Sequence, residues 1–398
     1  MNRQRPVSVS GMGCICAAGK NLPDCMEALF SQASAPPAPP RSLPGTQHPV
    51  FEVPDRFLPT SDSQNLSMVR AVRLALAATN EALTDAGLIP AALQKKRVGV
   101  VIGTNVGSGV SNRALQKDLG GIDCSCLSPA ERFLIVNPAQ WLTRHFDFSG
   151  PHMTIVNACS AGSDAIGLAG TWIRSGRCDV VIAGGTDALY EVTYYGFIAL
   201  LNSDTAACKP FDVHRNGLNL GEGAAMMVLE SEATLTNRGR KARAFLSGYG
   251  TAADAYHLTA PHPEGSGLRV AVQDALTSAG CSPSDIAFIN AHGTGTREND
   301  RVESFFFHQV FPGVPFGSTK GYTGHTLGAA GAIEAAFTIA SLEHQKMPAN
   351  EGFDAPDPDL PVHPVAEPTE IRGTTALSQT LAFGGNNSVL IFSTGRGA

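Results

Sequence analysis

A pattern that occurs twice, about half a chain length apart, is the strongest constraint on the fold of this 398-residue chain. Residues 81–87 read EALTDAG and precede a strand-like apolar run that ends at Gly103. Residues 274–280 read DALTSAG and precede a second such run that ends at Gly293. Self-similarity of this kind indicates an internal duplication. The sequence therefore predicts two similar α/β halves packed about a pseudo-twofold axis, and a site at their interface would take residues from both.

The composition excludes several classes of protein. Hydrophobic residues make up 43% of the chain and charged residues 16%, which allows a sizeable core. The net charge of −6, without a Lys- or Arg-rich block, argues against nucleic-acid binding. No window approaches the roughly 18 apolar residues of a membrane span, and no apolar stretch of a secretory signal follows Arg3 and Arg5. We therefore expect a soluble cytoplasmic protein.

The nine cysteines are an odd number in a chain without an export signal, which favours reduced thiols over disulfides. Two C-x-C pairs occur, Cys14 with Cys16 and Cys124 with Cys126. Because zinc sites use wider Cys spacings, both pairs are predicted to be ordinary buried thiols and not metal ligands.

Apolar patterns alternate between strands and helices along the chain, as α/β folds require. Continuous apolar runs are typical of buried strands, whereas apolar positions three or four residues apart indicate helices. A glycine turn after the first strand loosely resembles phosphate-binding loops, but its spacing fits neither common nucleotide motif. The predicted strands are residues 6–13, 98–102, 179–185 and 219–230, and the predicted helices are residues 65–87 and 128–146.

Residues 154–163 bring a cysteine to a strand–turn–helix junction. An apolar run ends at Cys159, and small residues lead into a helical pattern that includes Ile166 and Trp172. A thiolate at a helix N-terminus is favoured by the free N–H groups and by the helix dipole. A nucleophile is one interpretation of Cys159, and a buried structural cysteine, the commoner fate of a free thiol, is the other. This stretch alone does not decide between them.

Two histidine motifs in the second half favour the catalytic interpretation. Residues 290–296 read NAHGTGT, so that a strand delivers His292 to a Gly/Thr loop. Residues 317–331 place His325 at the start of a helix of very small residues. Residues 381–387 read LAFGGNN, a glycine-rich turn whose backbone N–H groups suit an oxyanion.

Together with Cys159, these motifs resemble the β-ketoacyl-acyl carrier protein synthases that use a Cys-His-His triad, including polyketide ketosynthases. Residues 209–212 (KPFD) and 221–223 (GEG) fit the same family in order, so the resemblance runs from the first strand to the C-terminus. It implies the thiolase-like fold, an α/β architecture of five layers (αβαβα) built from two duplicated βαβαβαββ halves.

The resemblance also implies how the halves divide the chemistry. Residues 1–240 would form the N-terminal half, which carries the nucleophile Cys159. Residues 241–398 would form the C-terminal half, which carries His292 and His325. Cys159 would attack an acyl thioester, and the histidines would stabilise the enolate that remains when a malonyl thioester loses CO₂.

Further residues receive roles through the same resemblance. The N–H groups of Cys159 and Phe383 would form an oxyanion hole, and Phe383 would also be a gate between the acyl pocket and the malonyl site. Lys320 would orient the histidines, with Glu334 as its buried partner. The phosphopantetheine arm would be held by three threonines, Thr294, Thr296 and Thr259.

The implied activity is a decarboxylating Claisen condensation that yields a 3-oxoacyl-acyl carrier protein, in fatty acid, polyene or polyketide-type biosynthesis. No metal or redox cofactor is implied, because phosphopantetheine arrives on the acyl carrier protein. The family implies a dimer, with an identical chain or with a related ketosynthase-like chain. Acyl chain length, pathway and the choice between these partners are left open.

Three segments depart from the family pattern. Residues 61–66 lack the basic patch that docks the carrier protein in related elongation synthases. The loop 202–208 is short and lacks an arginine often found there, and residues 381–387 differ at both ends from the usual turn. The mode of carrier docking and the acyl specificity are therefore not carried over from the family.

Three other functions compete with condensation. A chain-length-factor-like subunit lacks the nucleophile that Cys159 supplies here, although this chain could be the active half of such a heterodimer. A thiolase has a second catalytic cysteine near its C-terminus, whereas the last cysteine here, Cys281, precedes His292. A Cys-His hydrolase needs water at the acyl-enzyme, which two donor histidines and a closed apolar pocket do not favour.

Overall fold

The computed structural model describes residues 7–33, 35–41, 46–59, 69–105 and 137–395. Its strands are β1 Val7–Cys16, β2 Val98–Gly103, β3 His152–Ile155, β4 Val180–Asp187, β5 Gly223–Ser231, β6 Ala244–Ala253, β7 Ile289–Asn290, β8 Phe316–Gly317, β9 Lys346–Met347, β10 Thr369–Glu370, β11 Thr375–Ala382 and β12 Asn386–Ser393. Its helices are α1 Leu22–Ser31, α2 Arg70–Asp85, α3 Pro90–Leu93, α4 Pro138–His145, α5 Ala161–Arg174, α6 Glu191–Ala199, α7 Glu232–Asn237, α8 Ser266–Ala279, α9 Arg297–Val310, α10 Lys320–Thr323 and α11 Ala330–His344.

Ten strands form one sheet whose two halves have the same order. From the edges to the centre, the order is β3-β2-β4-β5-β1 on one side and β8-β7-β11-β12-β6 on the other. Strand directions match as well, since the three outer strands of each half are parallel and the two inner strands pair antiparallel. The halves join where residues 7–9 pair antiparallel with residues 244–246. This correspondence confirms the duplicated α/β fold.

The outer helix of the first half packs very closely on the sheet. A Cβ atom added to Gly11 would lie 2.3 Å from the carbonyl oxygen of Ala82 in α2, and one added to Gly13 would lie 2.1 Å from that of Ala78. Only glycine permits this approach of helix backbone to strand backbone. The glycine turn that loosely resembles a phosphate-binding loop therefore has a packing role.

The same contact recurs in the second half, where α8 packs on β6. Added Cβ atoms on Gly248 and Gly250 would lie 2.2 Å and 2.0 Å from the carbonyl oxygens of Ala275 and Ala271. Each half thus places alternate glycines of its first strand beneath an alanine-rich face of its outer helix. This is structural evidence for duplication at positions that the repeat in the sequence does not include.

Two inner helices, α5 and α11, contact both halves. Gly167 of α5 lies against the ring of Tyr249 in β6, although α5 itself follows β3 of the first half. Gly331 of α11 lies between Ser163 and Thr380, whose hydroxyls are 3.1 Å apart. The order of layers is therefore outer helix, half-sheet, paired inner helices, half-sheet and outer helix. The inner helices begin where the site residues lie.

Several predicted elements differ at their ends. The helix predicted over 65–87 is Arg70–Asp85, and Gly87 has a φ of 63° just after it. The helix predicted over 128–146 is described from Pro138 to His145, with Asn137 as its N-cap. Residues 65–68 and 128–136 lie outside the described residues, as do residues 61–66 and the pair Cys124 and Cys126.

The strand predicted over 219–230 begins later, at Gly223. Its first residues have other partners, because the carbonyl oxygen of Leu220 accepts the N–H of Phe51 and the Asn219 carboxamide accepts the N–H of Cys208. The domain boundary predicted at residue 240 falls between α7 and β6, and it stays a prediction.

Within the described ranges, no helix is both long and apolar enough to span a membrane.

The glycine contacts lead to a stability prediction. Replacement of Gly13 by Ala should lower the free energy of unfolding by about 1–3 kcal/mol, because the new methyl group would overlap the Ala78 carbonyl. Gly196→Ala is the matched control, since an added Cβ there meets nothing within 4 Å and α6 gains a better helix former. Urea denaturation of both variants measures the difference. Equal stability of the two variants would contradict the close packing of α2 on β1.

Candidate active site

Cys159 lies in a tight turn between β3 and α5. The residue before it, Ala158, has a φ of 59°, a left-handed conformation that is uncommon for a residue other than glycine. Helix α5 begins two residues later, at Ala161. The Cys159 side chain is 4% exposed. The structure therefore places the thiol at a strand–turn–helix junction, as the sequence predicts.

Burial dominates the charge state of this thiol. It raises the pKa of Cys159 to about 11, while the nearby Lys320 charge and a hydrogen bond from the Phe383 N–H act in the opposite direction. The resting side chain is therefore a thiol, and not the thiolate that a helix N-terminus is expected to favour. Any nucleophilic step must remove the proton as the new bond forms.

Two histidines from the second half face Cys159. The Cys159 sulfur and one nitrogen from each of the His292 and His325 rings lie within 4.8 Å of one another. The ring centroids are 5.2 Å apart and the ring planes meet at 84°. The two side chains are 3% and 2% exposed. The three residues that the motifs singled out are thus brought into one buried cluster.

Both imidazoles are neutral and have a defined tautomer. Nδ1 of His325 is 3.2 Å from the Leu327 N–H, and Nδ1 of His292 is 3.3 Å from the Lys320 ammonium, which can only donate. We therefore assign the proton of each ring to Nε2. Burial, assisted by the Lys320 charge, lowers the pKa of both histidines well below the ordinary value. Each ring is left with one N–H group to donate.

A buried ion pair supports His292 from behind. Lys320 is 1% exposed, and its Nζ donates to the carbonyl oxygen of His292 at 2.5 Å and to the carboxylate of Glu334. Burial raises the pKa of Glu334 to about 7, against the opposing effect of Lys320. Removing one partner of such a pair leaves an uncompensated buried charge, which is strongly destabilising.

Two acidic residues that the sequence reasoning missed hold the His292 loop. Glu303 accepts the N–H groups of His292 and Gly293, at 2.7 Å and 2.6 Å. Asp300 accepts the N–H of Gly295 at 3.2 Å. Both carboxyls are fully buried, and burial raises their pKa, that of Asp300 to about 7. The sequence did carry a signal for them: Asp300 and Glu303 are three residues apart just after the loop, a spacing that places both on one face of a helix.

A third buried acid, Asp187, fixes the turn that follows His325. Its Oδ2 accepts the N–H of Gly328 at 2.7 Å and the N–H of Asn105 at 2.7 Å. Its Oδ1 accepts the Thr104 hydroxyl at 2.8 Å. Leu327 has a φ of 55°, so the turn is held in a conformation that few non-glycine residues adopt. The N–H that sets the His325 tautomer is therefore fixed in place.

Phe383 lies next to the Cys159 sulfur, in the turn between β11 and β12. Its N–H hydrogen bonds to the Cys159 thiol. Its ring stacks on Phe197, with centroids 5.3 Å apart and an interplanar angle of 17°. Phe197, which belongs to α6 and also lies 6.4 Å from the His325 ring, was not singled out in the sequence.

These groups open into one cavity of about 390 Å³. The first half supplies Cys159 and Phe197, and the second half supplies most of the polar wall. The predicted residues that line it are Cys159, His292, His325, Phe383, Thr259, Thr294 and Thr296. Lys320 lies behind the wall in contact with His292, and Glu334 is the partner of Lys320. The hydroxyls of Thr294 and Thr296 are 2.9 Å apart.

Comparison with known proteins agrees with this arrangement. The family model of the beta-ketoacyl synthase N-terminal domain matches residues 4–234, and that of the C-terminal domain matches residues 243–354. The chain belongs to the beta-ketoacyl synthase family. The resemblance read from the motifs is thereby confirmed, and with it a condensing acyltransferase of the thiolase-like fold.

Relatives come from fatty acid and polyketide biosynthesis. The 3-oxoacyl-[acyl-carrier-protein] synthase 2 of Synechocystis is 33% identical over 98% of each chain. The ketoacyl synthase alpha subunit of the tetracenomycin polyketide synthase of Streptomyces glaucescens is 35% identical, over 81% of this chain and 80% of the relative. A chain of the solved complex of a ketosynthase with its chain length factor, from Xenorhabdus doucetiae, superimposes with a TM-score of 0.86 at 30% identity over 98% of each chain.

The neutral histidines lead to a prediction about pH. Their pKa is lower in the folded protein than in the unfolded chain, where it lies near 6.5. For these two groups the unfolded state therefore binds more protons below pH 6.5, so their contribution to stability should fall as the pH is lowered and level off above about pH 7. The raised pKa of Asp300 and Glu334 contributes in the opposite sense, so the histidine contribution is read from the difference between wild type and variant. Each histidine contributes at most ~1.4 kcal/mol per pH unit.

Urea denaturation between pH 5 and pH 8 measures this slope. The His325→Gln variant should take up as much as one proton fewer on unfolding, so its stability should change less steeply with pH. His308→Gln, on the exposed face of α9, should keep the slope of the wild type. An unchanged slope in His325→Gln would mean that His325 is protonated in the folded protein.

Proposed function

We propose that this protein catalyses the decarboxylating Claisen condensation of an acyl group, carried on Cys159, with malonyl-acyl carrier protein to give a 3-oxoacyl-acyl carrier protein. One observation carries the proposal: a buried thiol and two neutral imidazoles lie within 4.8 Å of one another. A nucleophile that holds an acyl group and two donors for a developing enolate are what this reaction needs.

The first step loads the acyl group. The Cys159 sulfur attacks the carbonyl carbon of an acyl thioester, and the carbon–sulfur bond to pantetheine breaks. The proton lost by Cys159 ends on the departing pantetheine thiol, so that no net charge is left in the buried site. The N–H groups of Cys159 and Phe383 stabilise the tetrahedral oxyanion, since the Phe383 N–H already points at the sulfur.

The second step makes the carbon nucleophile. The malonyl group loses CO₂, and the electron pair of the broken bond becomes an enolate whose oxygen accepts the N–H groups of His292 and His325. The enolate carbon then attacks the acyl group and expels the Cys159 thiolate. Because the pKa of Cys159 is about 11, the thiolate takes up one proton, and each cycle consumes one proton.

Neutral imidazoles suit this role better than charged ones. A protonated ring would donate as well, but the buried Lys320 ammonium beside His292 disfavours a second positive charge. Lys320, Glu334, Glu303 and Asp187 are positioning residues in this account, because they hold the histidines and their loops without facing the cavity.

The remaining residues would bind the substrate arm. Thr294, Thr296 and Thr259, which all line the cavity, would offer hydroxyls to the amides of phosphopantetheine. Phe383, stacked on Phe197, would act as the gate between the acyl and malonyl positions. The reaction as written uses no metal or redox cofactor, since the partner carries the pantetheine.

The partners are an acyl carrier protein and a second ketosynthase-like chain, in the cytoplasm. In the described part of the chain, strand β3 is an edge of the sheet. Two apolar side chains are exposed there: Met153 in the strand is 43% exposed, and Val156 just after it is 53% exposed. An uncovered edge of this kind is suited to pairing with another chain. The Xenorhabdus complex supports a chain length factor as the partner, and an identical chain is the alternative.

The loading step gives the first test. Intact mass of the protein, after incubation with a panel of acyl-carrier proteins, should show an adduct on Cys159 that malonyl-carrier protein discharges as a 3-oxo thioester two carbons longer. Cys159→Ala should give neither adduct nor condensation, while Cys178→Ala, a buried thiol remote from the cavity, should give both. A condensation product from Cys159→Ala would refute the mechanism.

The same experiment separates the two kinds of dimer. An adduct on the protein alone supports an enzyme that works with its own copy. An adduct that forms only after a co-purified ketosynthase-like chain is added supports a heterodimer. Release of free acid without malonyl-carrier protein would instead indicate a hydrolase.

The donor role of the histidines gives a second test. His325→Ala should lower the rate of malonyl decarboxylation by about 100- to 1,000-fold, the usual effect of removing one oxyanion donor. Cys159→Ala should retain decarboxylation, because both N–H donors remain in place. Equal loss of decarboxylation in both variants would contradict the division of roles.

A further inference from the structure

Three cysteines that condensation does not use form a second cluster. The sulfur atoms of Cys14, Cys16 and Cys25 all lie within 4.8 Å of one another, and those of Cys16 and Cys25 are 3.6 Å apart. All three side chains are 0% exposed. The sequence showed only the pair Cys14 and Cys16, whose spacing favours ordinary thiols. Helix α1 adds the third sulfur, which no spacing rule reveals.

The central sulfur of the cluster is surrounded by donors. Cys16 Sγ shares hydrogen bonds with the thiols of Cys14 and Cys25, in which either sulfur can donate, and it accepts the N–H groups of Ala18 and Gly19. These bonds lower the pKa of Cys16 well below its ordinary value, whereas burial raises that of Cys14. Three sulfur atoms held this close together form a preformed set of soft donors.

A cavity of about 770 Å³ lies beside the cluster. Its wall includes Met12, Met26 and Glu81. Met12 lies two residues before Cys14 on β1, and Met26 follows Cys25 on α1. Glu81 accepts the N–H of Cys14 at 2.9 Å and the N–H of Leu22 at 2.8 Å, so it joins both segments. Two methionines and a carboxylate thus lie at the cavity, on or bonded to the segments that carry the three thiols.

We propose that Cys14, Cys16 and Cys25 bind one Cu(I) ion. Soft thiolate ligands select soft cations such as Cu(I). Thiolates bound to one ion at ~2.3 Å in a plane are ~4 Å apart, which agrees with the sulfur separations here. Structural Zn²⁺ takes four ligands, and the described residues offer only these three to the site. Cu(I) is stable with two or three thiolates and needs no fourth ligand.

Binding changes protons but no oxidation state. Copper enters as Cu(I), metal–sulfur bonds form, and each cysteine thiol that binds as a thiolate loses its proton to solvent. The two thioethers of Met12 and Met26 are suited to passing Cu(I) inward, because thioethers are soft ligands without a proton to lose. Glu81, at the same wall, attracts the cation.

The test is anaerobic titration of the whole protein with Cu(I), supplied as its acetonitrile complex, in competition with a Cu(I)-specific chelator. The cluster of Cys159 with its histidines also offers soft ligands, so titrations are run on wild type and in a Cys159→Ala background. We expect one Cu(I) per chain in that background, a sulfur-to-copper charge-transfer band, and X-ray absorption showing sulfur ligands only.

Matched variants locate the ion. In the Cys159→Ala background, Cys16→Ala or Cys25→Ala should weaken Cu(I) binding by more than about 100-fold, beyond the effect of losing an outer-shell partner. The double variant Cys124→Ser/Cys126→Ser, which has the same C-x-C spacing, should bind as tightly as its parent. Cys25 lies on helix α1, whereas Cys16 lies on β1 near the centre of the sheet. The Cys25 variant therefore serves as the test if Cys16→Ala does not fold.

Three outcomes would overturn the proposal. The first is absence of Cu(I) binding by the Cys159→Ala protein, and the second is loss of binding in the Cys124/Cys126 variant alone. The third is Zn²⁺ bound more tightly than Cu(I) at the same cysteines. None of them bears on acyl loading at Cys159, so this proposal and the condensing function fail or stand separately.

Discussion

The ion pair of Lys320 and Glu334 is the interaction on which the site depends. Its side chains are 1% and 3% exposed, so neither charge is solvated by water. From this position, the ammonium fixes the tautomer of His292, keeps both imidazoles neutral, and partly offsets the effect of burial on the Cys159 thiol. This cation acts together with burial on the two imidazoles and against burial on the thiol. The carboxylates of Glu303 and Asp187 then fix the loops that carry the histidines.

Much of the fold follows from patterns of residues along the chain. The repeat at 81–87 and 274–280 predicts duplication because an outer helix and its terminal glycine recur, and α2 and α8 are those helices. The motif around His292 predicts a strand and loop because apolar residues end at a run of glycines and threonines. Each segment of the repeat, and the His292 motif, is a short run of neighbouring residues, so each is visible locally in the sequence. The order of strands, by contrast, joins segments hundreds of residues apart.

The parts of the site that the sequence does not predict are those that depend on such distant contacts. Nothing near Cys159 shows that burial outweighs the helix N-terminus, because the walls that exclude water come from the other half. Phe197 stacks on Phe383 only because α6 and the β11–β12 turn meet at the cavity. Cys25 joins Cys14 and Cys16 only because α1 folds back on β1. Glu303 is the exception, since its spacing on α9 was a usable signal.

The division of the site between two halves also matters while the chain is being made. Cys159 leaves the ribosome well before His292, Lys320 and Phe383, which belong to the later half. Until those residues fold against it, the thiol lacks the Phe383 N–H beside it and the two imidazoles that complete the cluster. A partly synthesised chain is therefore a poor acceptor of acyl groups.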